Sequence, residues 1–357
     1  MGLVVLVALL AAAGLGWRVW RQAQTNRAAV IESVDGIDEA HFVRIGGVDQ
    51  WITIRGLNRD NPVILSMQGE PGWASSAFIP SRLEKDFVVV QWDPRGAGKT
   101  YGRSGPIDSA FGLDRAAQDG LEVAHYARAR LHRDKLILLG ADWSAAAATL
   151  MARARPELFH ALVTTGALVD TRRGDVQAYA QVLAKARARG DRVAQAALEA
   201  IGPPPYSGLA GLELGVQLAR FYEAGAPDGL DLIAGVAAAP RYRLVDVWDW
   251  LNGYFSSQAH ARDSAMSVDL FARPSDFAVP VFIFEGEDDD EAPAGLVRAY
   301  FDRLTAPRKT YISIARAGHD AAIARPDLFL SMLINRVRPL TAPAEGPVVL
   351  PADTTED

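Results

Sequence analysis

The stretch LLGADWSAA, residues 138–146, decides how the chain folds and where its chemistry could lie. A run of aliphatic residues ends at Gly140, and an alanine-rich segment suited to a helix follows Asp142. When a buried strand turns sharply into a helix, the turn residue stands at the edge of the sheet, beside the free N–H groups of the helix. Asp142 occupies that turn, and its carboxylate is the first candidate for a reactive group.

The composition indicates an ordinary globular protein. The 357 residues are 49% hydrophobic and 22% charged, and the formal net charge is −6. Lys and Arg are scattered, so the chain lacks the basic stripe that nucleic-acid binding needs. The absence of cysteine excludes disulfides and thiolate metal ligands, and the six histidines show no ligand spacing. We therefore expect no metal and no cofactor. We also expect the substrate to be a small molecule.

The N-terminus differs from the rest of the chain. Residues 2–17 carry no charge, and Arg18, Arg21 and Arg27 follow them. A spanning helix needs about 17–25 apolar residues, so we predict a membrane anchor over residues 1–22. Because the positive charges follow the apolar stretch, the main domain is predicted to lie in the cytoplasm; a signal segment and export are the alternative. A linker over residues 23–39 and a flexible tail over residues 341–357 complete the ends of the chain.

Between these ends, short apolar runs alternate with helical patterns, which is typical of a mostly parallel sheet with helices on both faces. Residues 40–169 and 276–340 form the two parts of this α/β core. Residues 170–275 are helical, rich in Ala and Arg, and too long for a loop. They are predicted to form a cap over the carboxyl edge of the sheet, where open α/β sheets bind ligands.

Three polar residues each follow a predicted strand, and their order along the chain indicates a catalytic site. Asp142 lies at the strand-to-helix turn, Asp289 follows the strand within residues 279–286, and His319 follows the strand within residues 309–315. The order of nucleophile position, acid and histidine is that of the α/β-hydrolase catalytic triad. Asp288 and Asp290 flank the acid, but the spacing from Gly286 to Pro293 selects Asp289.

From about residue 40 to residue 340 the chain resembles an α/β-hydrolase of the proline-iminopeptidase-like branch, which implies the α/β-hydrolase fold. QGEPG at 68–72 stands where that branch carries HGGPG, and GADWS at 140–144 stands where it carries GHSWG. VVVQWDPRGAGKTYGRSG at 88–105 resembles its Arg-Gly-Ala-Gly segment, and residues 286–293 and 318–319 match its acid and histidine loops. The residues that differ from the motifs of this branch lie at or beside its catalytic positions: Gln68, Glu70, Ala141, Asp142 and Ser144.

The pair Asp142–Trp143 resembles the Asp-Trp pair of epoxide hydrolases and haloalkane dehalogenases, which implies an Asp nucleophile. A carboxyl group with a pKa of about 3.9 is ionised at pH 7 and needs no base. It could attack a saturated carbon or a strained ring and form an alkyl ester, which water activated by His319 would hydrolyse. The backbone N–H groups of Trp143 and Glu70 would stabilise the oxyanion.

Other side chains are candidates for substrate binding: Trp143, Glu70 and Tyr206. An anionic Glu70 would repel a departing halide or attract a cationic substrate, or it would simply face solvent. Ring opening also needs acids, which in epoxide hydrolases are commonly cap tyrosines. The chain offers five of these: Tyr179, Tyr206, Tyr222, Tyr242 and Tyr254.

Three alternatives stay open at this point. Asp142 could simply cap its own helix, which is a common role for Asp. The chain could be a retired hydrolase that binds or scaffolds at a membrane. It could also keep aminopeptidase or esterase activity, although the serine of that chemistry is missing and Ser144 lies two residues beyond the turn.

Overall fold

The computed structural model describes residues 2–67, 69–206, 209–223, 229–265 and 267–342. Gln68 and nearly all of the predicted tail lie outside the described residues. Within the described residues, eight strands form one sheet: β1 (Ile37–Ile45), β2 (Val48–Gly56), β3 (Val63–Met67), β4 (Val88–Asp93), β5 (Leu136–Ala141), β6 (Phe159–Thr165), β7 (Val281–Gly286) and β8 (Lys309–Ile314). The spatial order is β1-β2-β4-β3-β5-β6-β7-β8. β1, β2 and β4 pair antiparallel, and the remaining neighbours pair parallel.

Twelve α-helices accompany the sheet: α1 (Gly2–Ala28), α2 (Gly98–Ser104), α3 (Leu113–Leu131), α4 (Trp143–Ala154), α5 (Thr171–Arg189), α6 (Arg192–Ile201), α7 (Leu209–Tyr222), α8 (Gly229–Ala237), α9 (Leu244–Ala265), α10 (Ala294–Arg303), α11 (Ala321–Ala324) and α12 (Pro326–Met332), as far as the chain is described. Short 3-10 or π turns lie at Ser75–Ala77, Pro156–Leu158, Leu333–Val337 and Arg338–Thr341. The predicted α/β class with a mostly parallel sheet is confirmed.

The central strand β5 carries the turn that the sequence singles out. It pairs with β3 on one side and β6 on the other, and α4 follows it after the single residue Asp142. Apolar side chains of α3, α4 and α10 cover one face of the sheet. Residues of the C-terminal segment, among them Phe329, Leu333 and Val337, cover the other face. Because both faces are buried, the inner strands read as continuous apolar runs.

The helices α5 to α9 are inserted between β6 and β7, within the segment expected to form the cap. α5, α6 and α7 share a small apolar core that includes Val182, Leu198 and Tyr222. α9 packs against α2 and carries Trp250 and Tyr254 toward the loop after β3. The insertion therefore lies near the carboxyl ends of β3 and β5; its limits as a separate domain stay a prediction.

The predicted N-terminal membrane anchor is wrong. Among the residues that the structure describes, no helix is long and apolar enough to cross a membrane. At 1.5 Å per residue, the uncharged stretch 2–17 covers about 24 Å, less than the roughly 30 Å of a bilayer core. Beyond it, Arg18 and Gln22 donate hydrogen bonds to the Tyr242 carbonyl, so this part of α1 is occupied by protein contacts. The cytoplasmic location of the main domain was inferred from this anchor, so that prediction loses its basis as well.

A buried ion pair ties β2 to the segments around it. Arg55 Nε donates to Glu84 at 2.6 Å, Nη1 lies 2.5 Å from Asp38, and Nη2 donates to the Ala29 carbonyl at 2.6 Å. Removing the guanidinium leaves the Glu84 carboxylate buried without its partner. We expect Arg55→Met to lower the free energy of unfolding by about 3–5 kcal/mol.

Urea denaturation followed by circular dichroism measures this loss. Arg44→Met is the matched control, because the Arg44 side chain is 70% exposed and its ion pair with Asp49 is loose at 3.4 Å. An exposed pair of this kind contributes about 0–1 kcal/mol. If the two substitutions lowered the free energy of unfolding equally, the expected contribution of the buried ion pair to stability would be contradicted.

Candidate active site

Asp142 adopts a strained backbone conformation at the turn between β5 and α4. Its φ is 56° and its ψ is −136°, a conformation that L-residues rarely adopt. The residue is 7% exposed, and its side chain makes no capping hydrogen bond to α4, although Asp142 is the N-cap residue. Gly140 permits the sharp turn, because a Cβ there would lie 2.8 Å from Ala145 Cα and from Ala148 Cβ. The turn therefore directs the carboxylate into the site instead of onto its own helix.

The structure brings His319 and Asp289 to this carboxylate. His319 Nε2 lies 3.7 Å from Asp142 Oδ1, and Nδ1 donates to Asp289 Oδ2 at 3.1 Å. Asp289 is oriented in turn by the backbone N–H groups of Glu291 and Ala292, which donate to Oδ1 at 2.9 and 2.7 Å. Asp288 is exposed and Asp290 pairs with Lys185, so Asp289 is the carboxylate of this loop that meets the histidine.

The side chains of Asp142 and His319 each stabilise the charged form of the other. Burial raises the pKa of the Asp142 carboxyl, but the hydrogen bond and positive charge of His319 outweigh it and hold the pKa below its ordinary value. Burial also lowers the pKa of His319, but the charges of Glu291 and Asp289, and then the hydrogen bond with Asp142, raise it well above its ordinary value. At neutral pH the pair is a carboxylate beside an imidazolium. Asp142 thus carries a negative charge at neutral pH, and His319 would have to lose a proton before it could act as a base.

A second carboxyl group, from Glu70, faces that of Asp142. Tyr254 Oη donates a hydrogen bond to Glu70 Oε1 at 2.5 Å. Burial, followed by the negative charge of Asp142 and a hydrogen bond shared with it, raises the pKa of Glu70 to about 8. Two adjacent carboxyl groups resist carrying two negative charges. At neutral pH Asp142 therefore holds the charge and Glu70 the proton, so an anionic Glu70, considered from the sequence, is not what the site holds.

Three ionisable groups in the site carry no signal that the sequence reasoning used. Glu291 has a carboxylate within 4.8 Å of ligand atoms of both Asp142 and His319, and Arg220 of α7 pairs with it at 2.9 Å. Glu223, just beyond α7, accepts from the backbone N–H of His319 at 3.0 Å and of Asp290 at 2.7 Å. Glu291 follows Asp289 by two residues and could have been flagged. Arg220 and Glu223 carry no motif, since only folding brings the cap to these loops.

A further carboxyl group lies behind Asp289. Glu285, near the end of β7, is fully buried. Burial, followed by the negative charge of Asp289, raises its pKa well above the ordinary value. Glu285 is therefore neutral, and it adds no second charge beside Asp289.

The oxyanion groups expected from the sequence surround the turn. Trp143 is the first residue of α4, where a backbone N–H has no acceptor within the helix. The loop that carries Glu70 is fastened to α4 by Ser144, whose Oγ donates to the Gly69 carbonyl at 2.6 Å. This bond occupies the Ser144 hydroxyl and gives it a positioning role. Gln68, the other departure in this loop, lies outside the described residues.

A cavity of ≈ 110 Å³ opens beside Glu291. Its walls are mainly apolar side chains of α5, α7 and α10, with Tyr206 and Asp175 as polar groups. Burial raises the pKa of Tyr206 to about 12, so its hydroxyl keeps its proton. Tyr206 thus lies at this cavity, while Tyr254 is the tyrosine that reaches Glu70. Of the other tyrosines considered, Tyr179, Tyr222 and Tyr242 contact Leu198, Asp191 and Ser76.

Asp142, Glu291 and His319 are spaced closely enough to hold a metal ion. His319 Nδ1 is already bonded to Asp289, and the imidazolium supplies the positive charge between the carboxylates. The spacing is therefore accounted for by the charges of the three side chains themselves. A metal site remains outside what we propose for this chain.

The orienting role of Asp289 gives a prediction. Asp289→Asn keeps the size of the side chain but removes the negative charge that holds the His319 Nδ1–H. We expect the rate of substrate hydrolysis to fall on the order of 10⁴-fold. This is the loss seen when the Asp of a Ser-His-Asp triad is replaced by Asn. Steady-state kinetics measure it, and Asp288→Asn is the matched control because that side chain is exposed. Losses of similar size in both variants would contradict the assignment.

The fold and the three strand-end residues define the class of protein. An eight-stranded sheet with a sharp turn after β5, an acid after β7 and a histidine after β8 has the α/β-hydrolase fold. A family model described as "Serine aminopeptidase, S33" matches residues 73–203. A protein of Bacillus subtilis named "Probable aminopeptidase YbaC" is 25% identical over 305 residues, 82% of this chain and 94% of that protein.

Solved structures show the same fold. The proline iminopeptidase-related protein TTHA1809 of Thermus thermophilus is 18% identical, with a TM-score of 0.57 over 85% of this chain and 99% of its own. The proline iminopeptidase of Mycobacterium smegmatis is 17% identical, with a TM-score of 0.59 over 83% and 96%. These matches show the α/β-hydrolase fold, and they make the chain similar to proteins of the proline-iminopeptidase-like branch. The predictions of family, fold and hydrolase class are confirmed, whereas the Asp-nucleophile chemistry and the site residues stay predictions.

Proposed function

We propose that the chain is a hydrolase in which the Asp142 carboxylate attacks an alkyl electrophile such as an epoxide and forms an ester. The observation that carries this proposal is the geometry of Asp142. Its strained backbone turns the ionised carboxylate away from α4 and toward His319 Nε2, 3.7 Å away. The helix-cap alternative needs a side-chain bond to the start of α4, and Asp142 makes none.

The first step joins one oxygen of Asp142 to a substrate carbon and breaks the carbon–oxygen bond of the ring. A carboxylate attacking an amide or ester would give only a reactive anhydride, so Asp142 favours a saturated carbon over an acyl carbon. The low pKa of Asp142 suits this step because the group needs no base at neutral pH. The opened oxygen takes a proton from an acid of the site and is left as a hydroxyl group of the bound ester.

The second step hydrolyses the ester. When Asp142 is esterified, the anion opposite His319 Nε2 is gone, so one of the groups that raise the pKa of the imidazole is removed while the charges of Glu291 and Asp289 remain. The second step requires that His319 then release its proton to solvent. The free base then removes a proton from water, whose oxygen attacks the Asp142 carbonyl carbon. The N–H groups of Trp143 and Glu70 are proposed to stabilise the oxyanion, as the alcohol departs with the proton from His319.

The cavity suggests the size of the substrate. Its volume of ≈ 110 Å³ is smaller than the roughly 150 Å³ that accommodates benzene in an apolar protein interior. A short alkyl or small cyclic substituent would fill it, with Tyr206 as a proposed contact. Trp143, the other proposed contact, lines a separate small pocket together with Glu70. The apolar walls supply binding energy, and the carboxyl groups at Asp142 supply the chemistry.

A single turnover in heavy-oxygen water tests the proposal. Excess enzyme is mixed with 1,2-epoxybutane in H₂¹⁸O, and the peptide that contains Asp142 is analysed by mass spectrometry. Attack of water on the Asp142 carbonyl carbon leaves one heavy oxygen in the carboxylate, so a gain of about 2 Da is expected. Turnover without label in this peptide would exclude the ester.

The relatives favour a second candidate, an aminopeptidase or esterase, because the S33 family match and the Bacillus subtilis protein both bear aminopeptidase names. Hydrolysis of a proline arylamide by the wild-type chain, with no label in the Asp142 peptide, would favour this candidate. Binding of both kinds of compound without turnover would favour the retired hydrolase.

A further inference from the structure

We propose that the Glu70 side chain is the acid that protonates the opened oxygen of the substrate, and that Tyr254 positions it. This inference rests on the proposed function and adds a catalytic residue to it. The sequence assigned Glu70 a backbone role in the oxyanion site and gave the acids to cap tyrosines. The structure brings its side chain to the nucleophile.

The geometry places a proton donor beside the breaking bond. Glu70 lies on the loop after β3, and its carboxyl group shares a hydrogen bond with that of Asp142. Tyr254 of α9 donates to Oε1 at 2.5 Å, which leaves the other oxygen to carry a proton. A substrate bound against Asp142 displaces this shared bond, and the same proton then points at the substrate oxygen.

Four groups on four separate elements determine whether Glu70 is protonated. Asp142 at the β5–α4 turn and Glu291 on the acid loop oppose its ionisation, while Arg220 of α7 favours it. Tyr254 of α9 donates to it and favours the carboxylate as well. Burial exceeds each of these and gives the pKa of about 8. The two facing carboxyl groups thus differ in protonation at neutral pH, the arrangement expected of an acid and a nucleophile.

The protons balance over one cycle. In the first step Asp142 forms its ester, the ring carbon–oxygen bond breaks, and the Glu70 proton moves to the ring oxygen. In the second step water and the ester give the diol and Asp142 as a carboxylic acid. Asp142 then passes its proton to the Glu70 carboxylate, and His319 takes back the proton it released to solvent. The sum is epoxide plus water to diol.

The pH dependence of ester formation tests the inference. Single-turnover consumption of 1,2-epoxybutane is followed between pH 6 and pH 10 for wild type and Glu70→Gln. Protonated Glu70 is the active form, so the wild-type rate is expected to be level below a pH of about 8 and to fall tenfold per pH unit above it. Glu70→Gln should be about 10²–10⁴-fold slower at pH 7 and should lack this fall.

Two further variants make the result specific. Tyr254→Phe removes a donor that stabilises the Glu70 carboxylate, so the fall in rate should move to higher pH. Glu157→Gln should behave as wild type, because Glu157 is exposed and pairs only with Arg155 among the described residues. A Glu70→Gln enzyme within threefold of wild type, with the same pH profile, would overturn the acid role while heavy oxygen still entered Asp142. Absence of label in wild type would instead refute the proposed function itself.

Discussion

His319→Gln is expected to stop the enzyme with its substrate attached to Asp142. The carboxylate needs no base for its attack, so the ester still forms. Glutamine cannot remove a proton from water, and hydrolysis of the ester should slow by about 10²–10⁴-fold. Intact-protein mass spectrometry after addition of 1,2-epoxybutane should show one added substrate mass per chain, and peptide mapping should place it on Asp142.

The trapped ester separates a nucleophile from a general base. If Asp142 instead activated water directly, the His319→Gln variant would turn over substrate slowly, but no substrate would be attached to Asp142. His260→Gln is the matched control, because His260 is exposed on α9 and bonds to the Ser256 carbonyl of its own helix. It should turn over at the wild-type rate and accumulate no ester.

Asp142→Ala is expected to abolish turnover, with a loss of about 10⁴–10⁶-fold, as is typical when a covalent nucleophile is removed. The variant loses the attacking oxygen and leaves His319 without the carboxylate opposite Nε2. No adduct should form in the Asp142→Ala, His319→Gln double variant. Rapid-quench kinetics and mass spectrometry measure both results.

Asp142→Ser is the informative companion to this variant. Serine restores the nucleophile usual for the branch, beside the same His319 and Asp289. Proline arylamidase activity that appears only in Asp142→Ser would show that this single residue decides the bond class. Wild-type turnover of epoxides that survives in Asp142→Ala would instead contradict the proposed nucleophile.

The order of the catalytic elements could be predicted from the sequence because each depends on a local pattern. Buried strands give apolar runs, and the turn after β5 needs Gly140 to approach α4. The residues that follow β5, β7 and β8 must meet at one edge of a parallel sheet. Local patterns were therefore sufficient to predict that Asp142, Asp289 and His319 lie together. The membrane anchor was wrong because no described helix is long and apolar enough to cross a membrane, and only the structure shows that Arg18 and Gln22 contact the cap.

The protonation of the site was decided by the tertiary structure alone. Glu70 and Asp142 are 72 positions apart, Tyr254 is on a cap helix, and Arg220 reaches Glu291 from another. A pKa depends on burial and on every charge nearby, and neither is encoded in a local pattern of residues. The sequence by itself determined which reactive groups lie at the edge of the sheet. Folding determined which of them carries the charge and which keeps the proton, because only the folded chain brings those charges together and excludes water from between them.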